Sequence, residues 1–75
     1  MVTLIDLPDN GEGIIVEIQG GYGLVQKLDA MGIRMGKKII KVSRQWMKGP
    51  VIIRSGNTEM AIGYGMAQRI MVEIE

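Results

Sequence analysis

Few side chains in this chain can do chemistry. There is no histidine and no cysteine among its 75 residues, so imidazole acid–base catalysis, thiolate nucleophiles, zinc clusters and disulfides are all excluded. The nearest group of oxygen ligands is Asp6, Asp9 and Glu12, around one turn. Tight sites for divalent transition metals favour imidazole together with carboxylate. Carboxylates alone on a turn hold a divalent ion weakly, so these three are read as solvated turn residues capable of no more than a weak contact with a divalent metal. The seven methionines carry thioethers that suit cuprous copper better than a divalent ion, and their scatter is that of core filler. "GGYG", Gly20 to Gly23, could suggest a phosphate loop. It lacks the Gly-Lys-Ser/Thr ending and the βαβ setting that give such a loop meaning, and is read as the swing from strand into helix. No catalytic, cofactor-binding or metal-binding residue is expected, and the chain is not expected to be an enzyme.

Two kinds of recognition chemistry remain. Lys37, Lys38, Lys41, Arg44 and Lys48, with Trp46 among them, make a basic stretch that could meet nucleic acid; the plainer reading is a solvated strand edge protected by lysines. Nine basic against eight acidic residues leave a net charge of +1, too balanced for a dedicated nucleic-acid binder, so none is expected as partner. Better founded is a protein partner. Tyr22, Val25, Ile33, Met35, Trp46, Met47 and Tyr64 lie in or beside turns, where full burial is hard, and Tyr, Trp and Met are enriched at contact surfaces. Together with Arg34 they form the candidate partner-binding set.

The elements that must position these residues fit one small domain, 1–75. A chain this short buries roughly 60% of the surface its unfolded form exposes, too little for a deep cleft. Apolar residues make up 47% of it and charged residues 23%, which argues against disorder. "IIVEIQ" alternates with period two, Ile14, Val16 and Ile18 on one face and Glu17 and Gln19 on the other, with Ile15 interrupting the wet face. Leu24, Leu28 and Met31 fall on one helical stripe, and Gly32 follows where a left-handed C-cap wants no Cβ. In this reading Gly32 and Gly36 let Ile33, Arg34 and Met35 project as a ledge. In "GKKIIKVSRQW", Ile40 and Val42 are expected inward and Lys41, Ser43 and Gln45 outward, although Ile39 leaves the register open by one residue. "VIIR", "EMAI" and "MVEIE" supply three more strands, Val72 and Ile74 alternating with Glu73 and Glu75. "GYGMAQR" reads as a turn with one helical turn that packs Ala67 and Ile70. Five short strands, with one helix after the first, predict a mainly β fold, a small closed barrel.

Over nearly its whole length the sequence resembles the ferrous iron transport protein A (FeoA) family. The resemblance lies on Leu4, Leu7, Gly11, Ile18, Gly20, Lys27-Leu28, Met31-Gly32-Ile33, Gly36, Gly49-Pro50, Ala61-Ile62, Ala67, Ile70 and Val72. It implies an SH3-like barrel in a prokaryotic cytoplasm, like the C-terminal domain of diphtheria-toxin-type metal-dependent repressors. It also implies a partner: the family acts beside FeoB, a ferrous iron permease with a cytosolic GTP-binding domain. Two departures stand out. The family often has Pro where Met35 stands, and Gly63, Tyr64 and Gly65 replace a segment that usually carries charge. The resemblance thus implies a non-catalytic accessory of ferrous iron uptake that binds FeoB or its GTPase domain, reaching the membrane only through that partner. The alternative is a stand-alone metal-regulator-like or small nucleic-acid-binding barrel. The short β edges leave a homodimer open. An opening without a basic region and the lack of any apolar run near ~20 residues point to a cytoplasmic protein.

Overall fold

The computed structural model of the chain describes residues 1–43 and 47–75. The elements run β1 (Val2–Thr3), β2 (Glu12–Ile18), α1 (Tyr22–Ala30), β3 (Lys38–Ser43), β4 (Val51–Ser55), β5 (Thr58–Ile62), α2 (Tyr64–Ala67) and β6 (Ile70–Ile74). All strand pairs are antiparallel, in one sheet of order β1-β6-β2-β3-β4-β5. The mainly β reading holds, but the five-stranded count and the placing of its single helix need correction. A two-residue strand at the start pairs with β6, so α1 follows the second strand, and α2 is a second helix. Nor is the sheet closed among the described residues: β1 and β5 stand at opposite ends of the order.

The core is aliphatic. Leu4, Leu7, Ile15, Leu28, Ile33, Ile39, Val51, Ile53, Ile62, Ala67, Ile70 and Val72 are buried together. The helical stripe falls as its spacing predicts, with Leu28 buried and Leu24 and Met31 packed against the core. Ala67 and Ile70 are buried at α2, also as read. At the β4–β5 turn Gly56 has φ +62°, the left-handed first position of a type II′ hairpin.

Both strands in the first half depart from the expected faces, β2 only as far as Val16: beyond it Glu17 and Gln19 are exposed and Ile18 packs on the core, as read. In β2 the buried residue is Ile15, while Ile14 is half-buried and Val16 is exposed. The cause is a β-bulge: Ile15 pairs with Val72 and Glu17 with Met71, leaving Val16 as an extra residue. One extra residue reverses the parity of everything beyond it, so Ile15 and Ile18 both reach the core. In β3 the register is the other of the two considered. Ile39 and Lys41 point inward and Ile40 and Val42 are half-buried. The register follows from the preceding turn, where Gly36 N–H donates to the Ile15 carbonyl at 2.7 Å and Ile15 N–H donates to the Lys37 carbonyl at 2.9 Å. Those bonds set Ile39 opposite Gly13 of β2, which has no side chain to fill the inner face there. In β6, Val72 is buried as expected, but Ile74, near the chain end, is exposed.

Lys41 is therefore 3% exposed. Its Nζ donates to the Ile5 carbonyl at 2.7 Å. Its own N–H donates to the Gly11 carbonyl at 3.0 Å and its carbonyl accepts from Asn10 N–H at 2.7 Å. A buried ammonium is tolerated only where it is hydrogen-bonded, and here it ties the segment between β1 and β2 to β3.

Candidate docking groove

The turn that leaves α1 decides which candidates are available to a partner. Gly32 N–H donates to the Asp29 carbonyl at 2.9 Å, and Ile33 N–H to the Leu28 carbonyl at 2.8 Å. With Gly32 at φ +87°, these are the two bonds of a Schellman motif, in which the residue after the glycine packs on the residue three before the cap. Leu28 and Ile33 are that pair, both in the core. Ile33 accordingly does not project: it is 1% exposed, and the ledge consists of Arg34 and Met35 alone. The signal was present in "LDAMGI", since an apolar residue directly after a C-cap glycine marks this motif.

A second turn follows at once. Lys37 N–H donates to the Arg34 carbonyl at 3.2 Å, and Gly36 has φ +88°. That is a type II turn with Met35 at the first central position, the place where Pro presets φ. Met35 is pushed out to 67% exposure. Arg34 lies back along the helix end, Nε 3.1 Å from Asp29 Oδ1 and Nη2 donating to the Asp29 carbonyl at 3.3 Å.

Between α1, this ledge and the end of β2 lies a groove of about 360 Å³, lined by Glu17, Ile18, Val25, Asp29, Ile33, Arg34 and Met35. Four of the eight candidates meet here: Val25, Ile33, Arg34 and Met35. Ile33 and the half-buried Ile18 give the groove its aliphatic character, Val25 and Met35 are its exposed apolar residues, and the three charged residues carry its polarity. Sequence reasoning missed Glu17, Ile18 and Asp29: it read Glu17 as solvent-facing and Ile18 as core-facing, as they are, but not that α1 and its turn bring them into one groove. Tyr22 is exposed at the start of α1, its hydroxyl accepting from Gln26 Nε2 at 2.8 Å, but it does not line the groove. Met47 is exposed and Tyr64 half-buried at α2; neither joins the groove. Trp46, with Arg44 and Gln45, lies outside the described residues.

The other recognition chemistries have less to work with. Among the described residues no three acidic side chains come together as a metal could use them. Asp6 and Asp9 are exposed, and Glu12 is engaged by Lys38 at 3.2 Å. Lys38 also pairs with Glu75 at 3.2 Å. With Lys41 turned inward, two cations of the basic stretch are thus committed within the fold. Among the described residues no helix is long and apolar enough to cross a membrane.

Comparison with known proteins agrees over the full length. The FeoA domain family matches over residues 2–74. The "Putative Fe(2+) transport protein A" of Methanocaldococcus jannaschii is 45% identical over 73 residues, covering 97% of this chain and 87% of that protein. A crystal structure of an iron uptake regulatory protein (FeoA) superposes with a TM-score of 0.87 at 38% identity, covering 99% of this chain and 96% of that one. A manganese-dependent transcriptional repressor superposes with a TM-score of 0.89 at 17% identity, over 97% of this chain but 36% of the repressor, a likeness of fold alone. On the breadth of the family match and the 45% relative, this chain belongs to the FeoA family.

Proposed function

We propose that the chain is a non-catalytic accessory protein of ferrous iron transport, acting in the cytoplasm by docking onto an FeoB-type permease or its GTPase domain. The iron role is supported by membership of the family and by the Fe(2+) transport name of the 45% relative. The docking role is supported above all by one observation: exposed apolar residues, Val25 and Met35, beside an aliphatic groove. Apolar side chains exposed beside an aliphatic groove gain free energy when a partner covers them and removes their surface from water. Its effect on transport comes from unequal affinity for two states of the permease, since a ligand that binds both states equally shifts neither.

The test is capture of the cognate permease's GTPase domain on immobilised chain, with the domain loaded in turn with GDP and with a non-hydrolysable GTP analogue. Binding that differs between the two nucleotides is expected. Equal binding removes the regulatory part of the proposal, and no binding removes the partner. Anaerobic calorimetry with ferrous ion alone is expected to show no stoichiometric submicromolar site.

A further inference from the structure

We infer that the groove between α1 and β2 receives an amphipathic segment of the protein partner, one that inserts apolar side chains and sets a Lys or Arg against Glu17. This rests on the docking function just proposed and specifies where and with what chemistry it occurs. The apolar half of the inference comes from the lining. Ile18 and Ile33 offer nothing to hydrogen-bond, and a site for a small polar ligand needs convergent polar groups inside the pocket rather than charges alone. A volume of about 360 Å³ suits a few aliphatic side chains, the load an amphipathic helix presents along one stripe. Met35, long and unbranched, can adjust to their shape.

The charged half comes from three residues. Asp29 and Arg34 balance each other's charge through a 3.1 Å ion pair. Glu17 is exposed and forms no ion pair with any described residue. The groove therefore carries one uncompensated negative charge on a chain whose net charge is +1. A cation on the partner meets that charge, and a carboxylate is repelled. The same asymmetry disfavours a second copy of this chain. A two-fold dimer presents the same patch twice, which places two Glu17 carboxylates in one small interface with each Arg34 charge already balanced by Asp29.

The experiment measures the Kd of the intact chain for the permease's GTPase domain by calorimetry at low and at moderate salt. Val25→Glu and Met35→Glu are each expected to weaken binding tenfold or more. Glu17→Lys is expected to weaken it several-fold at low salt, with the difference shrinking as salt is added. Ala61→Glu, exposed on edge strand β5, is the control expected to bind as the unaltered chain does. All four sites are exposed, and thermal melts confirm that each variant folds; Glu17→Lys tests the charge half even if an apolar wall variant misfolds. Binding by the unaltered chain with the groove variants unimpaired overturns the groove and leaves the partner standing. No binding by the unaltered chain overturns both. If Val25→Glu and Met35→Glu abolish self-association seen by sedimentation instead, the occupant is a second copy and the inference is wrong.

Discussion

Ile33 and Met35 stand two residues apart in one double turn, and they do opposite things. Ile33 is 1% exposed and belongs to the core, whereas Met35 is 67% exposed and stands beside the groove. Helix α1 repeats the contrast, with Leu28 buried and Val25 exposed three residues earlier. The residue types do not distinguish the pairs, since all four are apolar. What separates them is backbone geometry: the Schellman bonds turn Ile33 back onto Leu28, and the type II turn carries Met35 away. One surface of the helix and its turn thus holds the fold together while the other is left exposed.

That division has a sharp energetic signature. Ile33→Ala and Leu28→Ala should each destabilise the chain by about 2–5 kcal/mol, because they empty space in a core that cannot fully collapse. For 75 residues the total stability is about 4–11 kcal/mol, so either change brings the chain near unfolding at moderate temperature. Met35→Ala and Val25→Ala should stay within about 0.5 kcal/mol of the unaltered chain, as exposed positions do. Urea melts on the four variants check this. Equal losses for inner and outer residues break the comparison, because the exposed pair would then be structural.

Two lysines extend the contrast from apolar to charged residues. Lys41 is 3% exposed and Lys38 is largely open to solvent, although only three positions separate them on one strand. Lys41→Met keeps the length of the side chain but leaves the Ile5 carbonyl, which accepts from Nζ at 2.7 Å, without its charged donor. The expected loss is about 1.5–3 kcal/mol, the range for hydrogen bonds that involve a charged group. It should appear first as faster amide exchange in residues 4–11, the segment Lys41 holds. An unchanged melt with unchanged exchange would mean that the ammonium is dispensable there.

How much of this the sequence disclosed follows the same line between local and distant causes. The C-cap at Gly32, the stripe of Leu24, Leu28 and Met31, and the helical turn that packs Ala67 and Ile70 depend on neighbours in the chain, and all were legible. The inner face of β2 was legible at Ile18 but not at Ile15, because the bulge at Val16 is imposed by pairing with β6, more than fifty residues away. Nor was the burial of Lys41, which depends on how the turn at Gly36 hydrogen-bonds to Ile15. Half of the candidate site was found, since Val25, Arg34 and Met35 are exposed for local reasons. Glu17, Ile18 and Asp29 were missed because the groove arises from the packing of α1 beside the end of β2, and Ile33 was misplaced even though its local motif was readable.

The smallest effect is expected at Lys38. Hydrogen bonds that its ammonium donates first to Glu75 and then to Glu12, with the charges of both adding, raise its pKa above the ordinary lysine value. A folded-state pKa that is raised contributes stability fully below the unfolded value, and the contribution is lost as pH climbs through the raised one. While both glutamates are charged, Lys38→Met should therefore show a small, nearly constant deficit from neutral pH upward, vanishing only in strongly alkaline solution. Because the three side chains are exposed, at 58%, 46% and 41%, solvent screens the pair and added salt should erase most of the deficit. Melts at neutral pH, at low and at high salt, separate the outcomes. A deficit that persists in high salt would mean that Lys38 contributes through packing of its alkyl stem, and the outer surface would then share in holding the fold.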